Sequence, residues 1–418
     1  MTKIVKLQNG VRVAMERMEH VRSVSVGVWI NTGSVREGAD EGGASHFIEH
    51  MAFKGTPTRT AEQIAAEMDA VGGSINAFTS KECTCFYAKV LDEDLPLAVD
   101  VLLDIAFRAS FDPEELEREK RVITEEILMT EDSPEDLTAE RANALFFDGH
   151  PLARPILGTR ESVAAFDRGR LLAYRGAHYT AANTVVACAG HFSEQALLAL
   201  LEDKLALPDG APAPQLAGGF PGGARAECLQ KDIEQVHLTL MLPGFARESD
   251  GQYPLAILSN IIGGSMSSRL FQNIREKRGL AYSIYSYPLF CASTGALALY
   301  AGTGGEQAVE VVSLMREELE RIRRGGVERA EFERCRAQLR VSYLLGLESS
   351  GALMNVIGKT ALLQEREYRM EDTLNRIECV TIEDIMRIIP LVLDESQMCA
   401  SFVGRVDGQR DALLAALR

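Results

Sequence analysis

The feature that most constrains this chain is a break near its middle. Residues 208–225 read PDGAPAPQLAGGFPGGAR, rich in Pro, Gly and Ala and without apolar periodicity. Such a stretch builds neither helix nor strand and acts as a linker. It divides 418 residues into two parts of similar size, each long enough to bury its own core. Equal parts raise the question of duplication. VSVGVWINTGSVRE in the first part and VHLTLMLPGFARE in the second are both apolar strand patterns that end on Arg-Glu and lead through a loop into a helix pattern. Aligning Arg36-Glu37 with Arg247-Glu248 sets His46 against Ile257, Glu49 against Asn260 and His50 against Ile261. PEELEREKRVITEEI and RAEFERCRAQLRVSY also pair, which sets Glu119 against Cys335 and Glu126 against Ser342. Strand patterns mixed with helices longer than about 12 residues predict the α+β class. Two similar domains are expected, 1–215 and 216–418, with a polar cluster kept only in the first.

That cluster centres on HFIEH, residues 46–50. Gly42-Gly43 precede it, and Gly55 followed by Thr56-Pro57 ends it, so the segment reads as a short helix. Positions i and i+4 share a helix face, so His46 and His50 can aim two imidazole nitrogens at one ion. Glu49 stands beside that face, where it reaches a water without itself being a ligand. Phe47, Ile48, Met51, Ala52 and Phe53 are apolar, so the helix is largely buried, and two unpartnered buried histidines would cost several kcal/mol. A catalytic zinc site needs a third protein ligand and one open position. A nearby carboxylate then serves as general base and proton donor, which suits amide or ester hydrolysis.

The third ligand is sought in EELEREKRVITEEILM, residues 114–129. Glu119 and Glu126 lie two turns apart and so share a face. Val122, Ile123, Ile127 and Leu128 require part of this helix to pack inward. Composition leaves Glu125 and Glu126 both open.

Other features bound the alternatives. The formal net charge of −16 argues against nucleic-acid binding as the main activity. Eight scattered cysteines without a CxxC pair suggest free thiols in a reducing compartment. MTKIVKLQNGVRVAMERMEH reads as a hairpin turning at Asn9-Gly10, with no apolar signal core. No run of about 18 apolar residues suggests a membrane span. A cytoplasmic location without membrane attachment is the expectation.

Taken together, these motifs resemble the pitrilysin-type zinc peptidases, whose HxxEH inverts the zincin motif. The resemblance covers nearly the whole chain and is strongest to the short-chain branch that includes mitochondrial processing peptidase. It implies two similar domains, each a mixed, mostly antiparallel sheet packed with helices, and one Zn2+ per chain. It places the third ligand 76 residues after the second histidine, at Glu126, and a supporting glutamate at Glu119. GGSINAFTSKE, residues 72–82, resembles the edge strand that pairs with an extended substrate, through Asn76 and Ala77. SSRLFQNIREKRGLAYSIYSY, residues 267–287, resembles the second-domain motif in which Arg275 and Tyr282 reach the substrate. Two such chains form a closed chamber in this family, so a homodimer is expected with Arg275 and Tyr282 acting in trans. The implied activity is a zinc-dependent endopeptidase, with Glu49 as base. The rival reading is a non-catalytic assembly or scaffold subunit of the same fold.

Overall fold

The computed structural model describes residues 2–216, 218–219 and 222–417. Ala217, Phe220 and Pro221 of the expected linker lie outside the described residues. The chain forms two compact units. The first comprises Met1–Ile127, Arg154–Pro214 and Leu344–Met370; the second comprises Leu128–Ala153, Gln215–Tyr343 and Glu371–Arg418.

Six strands build the first sheet: β1 (Lys3–Lys6), β2 (Arg12–Arg17), β3 (Ser23–Ile30), β4 (Ser74–Thr79), β5 (Thr84–Leu91) and β6 (Thr184–Gly190). Their order is β1-β2-β6-β3-β5-β4, and only the β2–β6 pair is parallel. Asn9-Gly10 turns the β1–β2 hairpin, with Gly10 at φ 93°, a conformation that favours glycine. The second sheet contains β7 (Arg225–Gln230), β8 (Gln235–Pro243), β9 (Ala281–Phe290), β10 (Gly295–Gly304) and β11 (Cys399–Gly404). Its order is β7-β11-β8-β10-β9, and only β7–β11 is parallel. This repeats the β2-β6-β3-β5-β4 pattern of the first sheet strand for strand, and among the described residues β1 has no counterpart. Both units are therefore mixed, mostly antiparallel sheets packed with helices, in the α+β class.

The units are not contiguous halves of the sequence. The Ser350–Leu363 helix comes from the later half yet packs on β2, β3 and β6, and the Pro134–Phe146 helix comes from the earlier half yet packs on β8 and β11. The physical reason is visible in β3, which is buried along nearly its whole length. Val24, Val26, Val28 and Ile30 enter the first core with Phe47, Ile48 and Met51. Ser25, Gly27 and Trp29 face the other way and need their own cover. The Ser350–Leu363 helix supplies it at close range. A Cβ at Gly358 would sit 2.3 Å from Trp29 Nε1, and one at Gly27 would sit 2.6 Å from Met354 Sδ. Ser350 Oγ also meets Ser25 Oγ at 3.0 Å.

Candidate metal centre

The HFIEH helix spans Ala44–Ala52. Gly43 precedes it at φ 88°, and a Cβ there would press on Leu157 O at 2.6 Å, so only glycine fits. Phe47, Ile48 and Met51 are fully buried on the core side. That packing leaves His46, Glu49 and His50 on one remaining stripe. The two imidazole rings stand 4.6 Å apart between centroids.

The acidic helix spans Pro113–Asp132 and buries Leu116, Glu119, Ile123 and Ile127 as its inner stripe. Glu125 is exposed, whereas Glu126 meets the histidines. Glu126 Oε2 lies 3.6 Å from His46 Nε2 and 3.4 Å from His50 Nε2. Those separations are too long for strong hydrogen bonds. They match tetrahedral zinc instead: ligands at about 2.0–2.1 Å from one ion stand about 3.4 Å from each other. Two imidazoles and one carboxylate also leave the open position that a catalytic site requires. The donor set present therefore fits zinc.

Glu119 is almost fully buried beneath this site. It takes His50 Nδ1 at 2.8 Å and Lys54 Nζ at 2.8 Å. A carboxylate on Nδ1 fixes the ring so that Nε2 faces the ion position. The Glu49 carboxylate accepts the hydroxyl of Thr79 on β4 at 2.5 Å. Thr84 stands behind Thr79 at 3.4 Å, held by donating to the Thr32 carbonyl at 3.0 Å.

The charges divide sharply. Burial, then the neighbouring His50, pushes His46 down to about 3, so it is a neutral ligand at ordinary pH. Its Nδ1 is buried without a hydrogen-bond partner. Burial also opposes charge on His50, but the Glu119 hydrogen bond and the nearby Glu126, Glu119 and Glu49 outweigh it and raise its pKa above the ordinary value. Without metal the site thus favours a proton on His50 over one on His46. Burial raises the Glu49 carboxyl above its usual range, partly offset by Thr79 and His50. Glu119 is held low because its bonds to His50 and Lys54 overcome its burial.

Asn76 and Ala77 lie on β4, the outer strand of the sheet. The Asn76 side chain accepts the Ala77 N–H at 2.8 Å. In the second unit, Arg275 belongs to the wound segment Phe271–Glu276, and Tyr282 to β9, the outer strand of the second sheet. The Arg275 guanidinium lies 4.7 Å from the ring centroids of both Phe271 and Tyr282. Tyr282 is 77% exposed, so stacking on arginine does not hide it. The structure thus gathers His46, His50, Glu126, Glu119 and Glu49 in one site of the first unit, and pairs Arg275 with Tyr282 in the second.

Two residues of this neighbourhood make contacts that no sequence motif marked: Thr79 and Lys54. Thr79 sits inside the strand motif already singled out, but only tertiary contact reveals that its side chain meets Glu49. Lys54 lies beyond the end of the helix, and its ammonium still reaches the Glu119 carboxylate.

Sequence comparison adds to this geometry. Residues 12–160 match the insulinase family, peptidase family M16, and residues 165–339 match the M16 inactive domain. An uncharacterized zinc protease of Bacillus subtilis, YmxG, is 39% identical over 397 residues, covering 92% of this chain and 94% of the relative. The chain belongs to peptidase family M16. An uncharacterized zinc protease of Mycobacterium tuberculosis is 40% identical over 384 residues, covering 91% and 88%. Zinc is accordingly the metal of this M16 chain, and zinc metallopeptidase its class. Solved structures share the M16 fold at lower identity. A protease from Helicobacter pylori has a TM-score of 0.89 at 21% identity, covering 96% of this chain and 99% of that one. A Pseudomonas fluorescens structure described as a peptidase M16 inactive domain has a TM-score of 0.89 at 18% identity, covering 97% and 98%. Among the described residues, no helix is long and apolar enough to cross a membrane. All eight cysteines are free thiols.

Proposed function

We propose that this M16 chain is an endopeptidase for short or unfolded polypeptides, in which His46, His50 and Glu126 hold one zinc ion and Glu49 is the general base. The observation that carries the reading is the 3.4 and 3.6 Å spacing of the donor atoms, with Glu49 on the same helix stripe. Bound zinc supplies Lewis-acid chemistry, lowering the pKa of a water toward about 7 and drawing charge from a carbonyl. Glu49 takes the proton as water attacks the amide carbon, then returns it to the leaving nitrogen. Its burial favours the first of these steps, because a carboxylate with a raised pKa accepts a proton from water more readily than an exposed one. Glu119 keeps His50 oriented through Nδ1. Asn76 and Ala77 present an edge-strand backbone to an extended substrate, which selects unfolded segments by main chain rather than by sequence. Arg275 and Tyr282 donate hydrogen bonds to the oxyanion. They act in trans, from the second domain of a partner copy in a closed homodimeric chamber.

Mass-spectrometric mapping of cut sites in a peptide library, with and without chelator, tests this reading. Internal cuts that vanish with chelator and return with zinc support it. An intact library under zinc-replete conditions would favour the assembly subunit instead.

A further inference from the structure

The HFIEH helix lacks an ordinary N-terminal cap. Gly43 offers no side chain, and no neighbouring side chain within the helix start caps it. The cap comes from outside, from Glu37, which is 1% exposed. Glu37 Oε2 accepts the Gly43 N–H at 2.8 Å, and Glu37 Oε1 accepts the Ser45 N–H at 2.9 Å. Ser45 is the residue before His46. Its hydroxyl meets Tyr174 Oη at 2.9 Å, and Tyr174 Oη meets Thr32 Oγ1 at 2.7 Å. Glu37 is itself braced, because Arg154 donates to its backbone carbonyl. The segment before it is locked to the turn that follows β4: Val35 N–H bonds Lys81 O at 3.0 Å, and a Cβ at Gly33 would sit 2.2 Å from Ser80 O.

A bidentate clamp on one end of a helix fixes its rotation as well as its position. Imidazole nitrogens lie about 6 Å from a helix axis, so a rotation of about 10° moves them by about 1 Å. Zinc ligation tolerates about 0.2 Å. A carboxylate beside the N-terminal amides also suits the positive end of the helix dipole.

We propose that Glu37 is a positioning residue for the metal centre, setting the rotation of the Ala44–Ala52 helix so that His46 and His50 converge with Glu126. The inference rests on the zinc-site reading above. A glutamine at this position keeps the shape but offers only one oxygen, and its amide N–H would oppose the second backbone N–H.

The test is zinc affinity, measured by competition with a chelating dye on Glu37→Gln, His46→Ala and wild-type protein. Thermal unfolding reports folding, and the visible absorption of the cobalt-substituted protein reports ligand geometry. The expected result is a folded Glu37→Gln whose zinc Kd rises about 10- to 100-fold with an altered cobalt spectrum. A folded Glu37→Gln with wild-type Kd and spectrum overturns the inference alone. Wild type that binds zinc no better than His46→Ala overturns the zinc-site reading and this inference with it. Should Glu37→Gln not fold, Glu37→Asp decides, since it keeps both carboxylate oxygens but shortens their reach to the Gly43 and Ser45 N–H groups. A severalfold weaker Kd is then expected, and an unchanged Kd overturns the proposal.

Discussion

Zinc binding to the metal-free protein should release one proton near pH 6, not two. The perturbation is the metal itself. Both histidines would be largely protonated in an unfolded chain at that pH, since an imidazole titrates near 6.5. In the folded site His46 has been pushed down to about 3 by burial and by His50, so it has no proton to give. His50 is raised, because Glu119, Glu126 and Glu49 outweigh its burial, so it holds one. Zinc must displace that proton to reach Nε2. Zinc affinity should therefore fall about tenfold per pH unit below the raised pKa of His50, and level off above it. The assay is titration calorimetry in buffers of different ionisation heat, in a Glu49→Gln background so that the raised Glu49 carboxyl adds nothing. Adding Glu119→Gln should cut the release, because the strongest influence raising His50 is lost. Release of two protons would refute the burial argument for His46, and release of none would refute the charge argument for His50. The linked stabilities have opposite signs. The raised His50 stabilises the metal-free fold fully below about pH 6.5, and this is lost as pH rises through its folded value. The lowered His46 opposes folding as pH falls from about 6.5 toward about 3.

Three further outcomes follow from other parts of the molecule. Gly358→Ala should destabilise by about 1–2 kcal/mol in thermal or urea unfolding, since overpacking against Trp29 outweighs the usual helix gain of about 1 kcal/mol, and a stabilised variant would contradict the close packing described. Thr79→Val should lower kcat by about 10-fold with zinc content unchanged, while Thr79→Ser stays near wild type; equal rates for both would remove Thr79 from the site. In a thiol-labelling time course, Cys379 should react well ahead of Cys83, Cys85, Cys188, Cys335 and Cys399, and mass mapping of the first label on any of those five would contradict their burial.

Much of the metal helix was legible because helical period and chemistry coincide in HFIEH: apolar Phe47, Ile48 and Met51 on one side, His46 and His50 on the other. The duplication was legible through the Arg-Glu pairs, and the second sheet repeats five strands of the first. The third ligand was only half legible. Adjacent residues on an acidic helix differ by about 100°, and spacing within the helix cannot say which direction is inward. Family resemblance pointed to Glu126, and in the structure Glu125 faces solvent. The exchange of helices between the units was not legible. A pattern such as that of Ser350–Leu363 states that a face is buried, not which sheet buries it. Glu37 was visible only as an alignment marker, because its role depends on a helix start that lacks a side-chain cap.

The most direct measurement of the central claim is the activity and zinc content of Glu49→Gln. The substitution keeps the side chain's size and lies outside the three proposed ligands. The expected result is one zinc per chain, as in wild type, with peptide cleavage lowered by at least about 100-fold. Cleavage at the wild-type rate by the zinc-loaded variant would contradict it.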